Sequence, residues 1–204
     1  MKIAPAFLAT LIGATLAFSG GCAKSSDSAG SSASAAPAAA PDSASAAGPR
    51  IRIVTTDGTI VAVLDPAHAP KSVANFLRYV DTKFFDGGTF FRAVPGFVIQ
   101  GGNKGKEAAG FPPIELEDPQ ATGLKNVDGA LAMARTSDPN SATSEFFIDS
   151  GAQPVLDGGP GTPGYAVFGN VVSGMDVVAK IISGPAESQM LIAPVKIIKV
   201  ERIK

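Results

Sequence analysis

Thr89-Phe90-Phe91-Arg92-Ala93-Val94-Pro95-Gly96-Phe97-Val98-Ile99-Gln100-Gly101-Gly102 is the stretch on which the reading of this chain turns. It holds two short β-prone runs, Phe90–Val94 and Phe97–Gln100, with Pro95-Gly96 between them. Toward the N-terminus, Ile51 to Thr55 and Thr59 to Leu64 alternate apolar with polar or small residues around Asp57-Gly58, a hairpin-turn signal. Pro70 then opens a helix in which Val73, Phe76, Leu77 and Val80 recur at spacings of three and four. Toward the C-terminus, further short runs at Ala130–Ala134, Phe146–Asp149 and Ala166–Phe168 are separated by Gly- and Pro-rich loops. A second helix fits Met175 to Ile182, with Val177, Val178, Ile181 and Ile182 apolar, and a last strand fits Val195 to Ile203. Many short strands with two helices predict a mostly β fold, a closed antiparallel barrel with the helices covering its ends.

The bulk numbers narrow the function. The 204 residues carry 17 Lys+Arg against 18 Asp+Glu, with no block of like charge, so no broad nucleic-acid or anionic-membrane footprint is expected. One Cys cannot make an internal disulfide, and one His cannot build a His-rich metal site. A Ser-His-Asp triad would have to use His68, which sits between Pro66 and Pro70 and reads as a solvated loop residue. Gly159-Pro160-Gly161-Thr162-Pro163-Gly164 has the spacing of a dinucleotide fingerprint. Its two prolines lack N–H donors, however, and no βαβ unit surrounds it.

Three zones follow one another. Residues 1–21 read as an export signal: Lys2, then an apolar run from Phe7 to Phe18 that is short for a membrane span, then Ser19-Gly20-Gly21 ahead of Cys22. The arrangement resembles a lipoprotein signal, which implies a diacylglycerol on the Cys22 thiol, although Ser19 stands where such signals usually carry Leu. Residues 22–49 hold the lipidated Cys and a tether. Positions 23–49 contain 11 Ala, 8 Ser, 3 Pro and 2 Gly in 27, a composition that cannot offset its ordering entropy by burial. A flexible coil of this length spans roughly 30 Å, at about 5–6 Å × √n. Residues 50–204 form the folded body.

The opening stretch resembles the cyclophilin signature, a Phe-x-Arg followed by Pro-Gly-Phe and Gln-Gly-Gly. A second match runs from Met133-Ala134-Arg135-Thr136 to Ser144-Glu145-Phe146-Phe147-Ile148. A third is Val155-Leu156-Asp157 with Gly164-Tyr165-Ala166-Val167-Phe168-Gly169. They fall in the family's order over essentially all of 50–204, and the Met-Ala-Arg-Thr run and Tyr165 look like bacterial periplasmic members. The resemblance implies an eight-stranded barrel with two capping helices and peptidyl-prolyl cis-trans isomerase activity. It further implies Arg92 as the catalytic cation, with Phe97, Val98, Phe147 and Leu156 lining a proline pocket. Gln100 is implied to orient Arg92 or bond the substrate backbone, Ala134 and Arg135 to form the groove wall, and Tyr165 to close the far side where many relatives have His.

The chemistry can be argued from the amide itself. Rotation about an X-Pro bond faces a resonance barrier of about 18–20 kcal/mol, and no bond has to break. A catalyst needs only to favour the twisted imide, whose nitrogen becomes a pyramidal acceptor, and a guanidinium aimed at that nitrogen does this. An acceleration of ~10⁵ requires about 7 kcal/mol of differential binding. Neither metal nor cofactor is called for.

Three positions depart from the family pattern. Glu145 replaces Gln, an acceptor-only carboxylate in place of an amide, and is expected to pair with Arg92 or Arg135 or to accept from a substrate N–H. Val98 replaces a larger Met, and Val155 replaces an aromatic residue at the groove edge. The expectation is a monomeric isomerase acting on Pro-containing polypeptides, periplasmic and lipid-anchored through Cys22, at the outer membrane since Ala23 follows the Cys. No nucleic-acid partner is expected. The alternative reading is a proline-peptide-binding or chaperone module with weak turnover, or a structural lipoprotein that uses the domain as an assembly part.

Overall fold

β1 (Arg50–Thr55) and β2 (Gly58–Leu64) form an antiparallel hairpin whose register runs from Arg50↔Val63 to Thr55↔Gly58. The structure, a computed structural model, describes residues 48–102 and 110–204. The export signal, Cys22 and the tether as far as residue 47 lie outside the described residues. The hairpin closes one residue earlier than Asp57-Gly58 suggests. The Thr55 hydroxyl accepts from the amides of Asp57 and Gly58, both at 3.1 Å, so Thr56 and Asp57 make the turn and Gly58 opens β2. Gly58 sits at φ +145° against Val177, whose Cγ2 would lie 2.6 Å from an added Cβ.

The remaining strands are β3 (Thr89–Val94), β4 (Val98–Gly102), β5 (Ala130–Met133), β6 (Phe146–Asp149), β7 (Val167–Ser173), β8 (Ala186–Glu187) and β9 (Met190–Ile203). Their order is β1-β2-β7-β5-β6-β4-β3-β9, and β9 pairs back onto β1, so eight antiparallel strands close into a barrel. β8 is a two-residue appendage hydrogen-bonded to β9. Two strands are longer than their apolar runs. β7 continues through Gly169 because that residue passes Val63 O so closely that a Cβ would lie 2.6 Å away. β9 starts at Met190, five residues before Val195, and its register against β3 slips on the way.

Two helices cover the barrel, with a short third in a loop. α1 (Pro70–Asp81) has Pro at its first position and buries Val73, Phe76, Leu77 and Val80. Phe76 reaches the barrel interior, 5.1–5.3 Å from the rings of Phe168 and Phe146. No acid stands in the first turn of α1, and a distant one does that work. Glu117 accepts from the amides of Lys71 and Ser72, both at 2.8 Å, satisfying donors that a helix start leaves free. α2 (Pro119–Thr122) is a single turn, and α3 (Met175–Ile182) buries Val177, Val178 and Ile181.

Alternation sets the two faces of the wall. Ile99, Leu131, Met133, Phe146 and Ile148 point into the main core, while Val98, Ala130, Ala132 and Phe147 form a separate cluster outside it. β3 breaks this rule at one place. Phe90 and Ala93, three residues apart, both lie in the core, because the ladders to β4 and to β9 each slip between Phe90 and Arg92. Strict alternation would turn Arg92 to the same side as Phe90; the bulge re-aims it.

Candidate active site

Arg92 leaves the bulge with its guanidinium held by two glutamines. Nη1 donates to Gln100 Oε1 at 3.2 Å, while Nε and Nη2 donate to Gln189 Oε1 at 3.0 and 2.6 Å. Three of its five N–H donors are thus engaged. Among the described residues the other two, on the terminal nitrogens, have no partner. Gln100 stands opposite Arg92 in the β3–β4 ladder, and its amide nitrogen donates onward to Glu145 Oε2 at 2.8 Å. Glu145 therefore neither pairs with Arg92 nor with Arg135 among the described residues; it holds the glutamine that holds Arg92. Gly102 makes room for it, since a Cβ there would stand 3.2–3.3 Å from Glu145 Cα and Cγ.

Beside this polar row lies the outer apolar cluster. Val98, Ala130, Ala132, Phe147 and Val167 are buried in it, and Phe97, Leu124, Ala134, Leu156 and Tyr165 pack against them half-exposed. Phe147 meets Tyr165 edge to face, with ring centroids 5.6 Å apart at 75°. The Arg135 guanidinium lies 4.4 Å over the Tyr165 ring and donates to the carbonyls of Pro163, Gly164 and Thr136 at 2.8–3.2 Å. Three of these four hydrogen bonds go to the 163–165 loop, so Arg135 fixes Tyr165 as one wall. Ala134 belongs both to this cluster and to an adjoining cleft of about 360 Å³, lined by Gln100, Arg135, Thr136 and Glu145 among others. Val155, at the edge, is 75% exposed.

The residues expected from the sequence therefore gather in one place: Arg92, Gln100 and Glu145 in a polar row, and Phe97, Val98, Ala134, Phe147, Leu156 and Tyr165 around an apolar floor, with Arg135 behind Tyr165. Cys22 lies outside the described residues. Three supports escaped sequence reasoning. Gln189 was invisible because a two-residue turn brings it from far along the chain. Gln153 donates to Gly96 O and Ser150 O, both at 3.0 Å, tying the Pro95-Gly96 turn to the loop that carries Leu156. Asn126 donates to Asp157 Oδ1 at 2.8 Å through its backbone and its side chain, holding the other end of that loop.

His68, expected as a solvated loop residue, is half-exposed yet partnered: its Nδ1 lies 2.8 Å from Asp65 Oδ2. Asp149 is the unusual acid. It follows Phe147 by two residues on β6, is fully buried, and neither carboxyl oxygen has a hydrogen-bond partner among the described residues. Burial, with Asp157 and Asp128 adding repulsion, pushes its pKa up to about 8, so it carries its proton at neutral pH. Among the described residues no group of three or more His, Cys, Asp or Glu is placed to hold a metal ion.

Comparison with known proteins agrees with this geometry. The sequence pattern of the family described as "Cyclophilin type peptidyl-prolyl cis-trans isomerase/CLD" matches residues 50–202. Peptidyl-prolyl cis-trans isomerase A of Dickeya dadantii is 45% identical over 134 residues, covering 64% of this chain and 70% of that protein. A peptidyl-prolyl cis-trans isomerase of Acinetobacter baylyi is 43% identical over 159 residues, covering 74% and 84%. Among solved structures, a cyclophilin-type isomerase of Cryptosporidium parvum superimposes with a TM-score of 0.67 at 25% identity, over 76% of this chain and 98% of that one. With the barrel, the polar row and the apolar floor in place, these likenesses settle the family: the chain belongs to the cyclophilin-type peptidyl-prolyl cis-trans isomerases, enzymes that act on proline-containing polypeptides.

Proposed function

We propose that the isomerase works by presenting the Arg92 guanidinium to the imide nitrogen of an X-Pro bond seated on the Phe97–Val98–Phe147–Leu156–Tyr165 floor. The observation that carries this is the way Arg92 is held. Two glutamines take three N–H donors and leave two without a partner among the described residues, and one of those glutamines, Gln100, stands opposite Phe147 of the apolar cluster. As the bond twists, conjugation is lost and the nitrogen lone pair becomes an acceptor, which a fixed cationic donor stabilises more than it does the planar amide. The proline ring replaces water on the apolar floor, and the lower local dielectric strengthens the same contact. No atom is transferred, so the site needs only shape and aimed charge.

Arg92→Lys tests it, since Lys keeps the charge and loses the planar fork. The expected loss is about 10²–10³-fold in kcat/KM with an unchanged melting temperature. Retention of about half the wild-type kcat/KM would mean that catalysis does not depend on an aimed guanidinium.

The setting we propose is the periplasm, with the enzyme a monomer held at the outer membrane through acyl groups on Cys22 and acting on exported polypeptides. The signal-like residues 1–21, the position of the sole Cys and the Ala/Ser-rich composition of 23–49 support this. Several acyl chains hold where a single one binds marginally. Mass spectrometry of the membrane fraction is expected to find them on Cys22; an unmodified chain in the soluble fraction would overturn the assignment.

A further inference from the structure

The turn between β8 and β9 places two consecutive side-chain-bearing residues in the left-handed region, Ser188 at φ +47° and Gln189 at φ +71°. Two-residue hairpin turns of this kind normally use Asn-Gly or Asp-Gly, because Gly takes positive φ without a Cβ clash. Here neither position is Gly, so the turn is locally unfavourable. Such outliers persist where the surroundings over-determine them, and they gather at functional sites.

What surrounds this one is Arg92. The Gln189 side-chain oxygen accepts from Nε at 3.0 Å and from Nη2 at 2.6 Å, and the Gln189 backbone carbonyl accepts from the Ala93 amide at 3.0 Å. One residue thus grips the β3 backbone just after Arg92 and one edge of its guanidinium. The register slip serves the same end: Phe90 faces Val195, but Arg92 faces Met190, so the start of β9 folds back to bring the turn alongside. Gln100 binds only Nη1, at 3.2 Å. A single bond leaves the guanidinium free to swing about its last torsion; bonds on two edges fix its plane.

We infer that Gln189 is a positioning residue for the isomerase reaction, setting the plane of the Arg92 guanidinium, and that the strained turn is retained for that purpose. The inference rests on the reading of Arg92 given above. It explains why Gln stands where Gly would relax the turn.

Gln189→Gly provides the test, because Gly suits the backbone at this φ while removing the side chain. The melting temperature is expected to hold or rise, whereas kcat falls about 10-fold or more with KM within about twofold, the cost of a misdirected group. Gln189→Glu, which keeps an acceptor at the same reach, is expected to recover most of the lost kcat. In an Arg92→Lys background, Gln189→Gly is expected to change kcat by less than about twofold, since no planar fork remains to be aimed. The ¹⁵N-detected Arg92 Nε–H of the full chain should exchange slowly in the wild type and quickly in Gln189→Gly. Wild-type kcat in Gln189→Gly, equal losses in both backgrounds, or an unchanged Nε–H signal would each overturn the inference. Full activity in Arg92→Lys would instead sink the proposed mechanism, and the Nε–H measurement would still decide whether Gln189 holds the guanidinium.

Discussion

The same strands build two apolar regions back to back, and they are furnished differently. β5 shows it within four residues: Leu131 and Met133 fill the barrel interior, while Ala130 and Ala132 face the outer cluster. Inside, Phe76, Phe85, Phe90, Phe146 and Phe168 interlock with centroids 5.0–5.8 Å apart, and all are buried. Outside, Val98, Ala130, Ala132, Phe147 and Val167 are buried, and half-exposed Phe97, Leu156 and Tyr165 pack against them. The interior fills itself. The outer cluster ends in half-exposed side chains, and it is there that the proposed mechanism seats the proline ring.

Neighbouring phenylalanines test that contrast with the largest expected effect. Phe146→Ala should cost about 3–5 kcal/mol of stability, the range for a large ring removed from a close-packed interior, measured by urea unfolding. Phe147→Ala should cost less stability than Phe146→Ala and, unlike it, lower kcat/KM about 10- to 150-fold, corresponding to about 1.5–3 kcal/mol of lost substrate burial. Equal stability losses for the two variants would erase the distinction between the regions.

Asp149 sits on the Phe147 side of β6 and sharpens the comparison through pH. Its folded pKa is raised to about 8 from an ordinary 3.8, so the unfolded chain gives up this proton first as pH rises. Between those values the folded state binds more protons, and this group makes stability fall with rising pH, by as much as about 1.4 kcal/mol per unit, levelling above about pH 8. Asp149→Asn keeps the shape without the ionisation. It should flatten the profile and be the more stable protein at pH 8.5 in chemical denaturation; parallel profiles would show that Asp149 is not the group responsible.

The smallest effect concerns the polar row. Glu145 holds Gln100 and places negative charge in the cleft. Glu145→Gln should raise kcat/KM about two- to fivefold for peptides with Asp or Glu beside the proline, the scale of an exposed charge pair, and leave neutral peptides nearly unchanged. Equal rates for all peptides would mean that substrate does not sense this carboxylate.

How much of this was legible follows from what alternation records. Val73, Phe76, Leu77 and Val80 gave α1 to the residue at its start, since helix period and a first-position proline agree. Phe146–Asp149 matched β6 for the same kind of reason. Period alone could not say that Phe147 faces the outer cluster and Phe146 the core; the resemblance implied only that Phe147 lines a pocket. It also could not show the bulge that turns Arg92 outward, because a slipped ladder is a property of two strands and not of one. Gln189 and Glu117 act on residues 97 and about 45 positions away, beyond the reach of any local pattern.

The β1–β9 seam has a consequence for how the enzyme comes into being. β1 is made first among the barrel strands and β9 last, yet they lie side by side, with Arg50 opposite Ile203. Long-range pairings of this kind are entropically costly to form and slow to appear. The far end of β9 meets β1, and its near end abuts the turn that grips Arg92, so a single late strand both shuts the cylinder and finishes the cradle of the Arg92 guanidinium. A chain emerging vectorially therefore has neither the closed barrel nor the Gln189 contact to Arg92 until that strand arrives. Until then the chain's own X-Pro bonds isomerise at the uncatalysed rate, in tens to hundreds of seconds, or with the help of a finished isomerase.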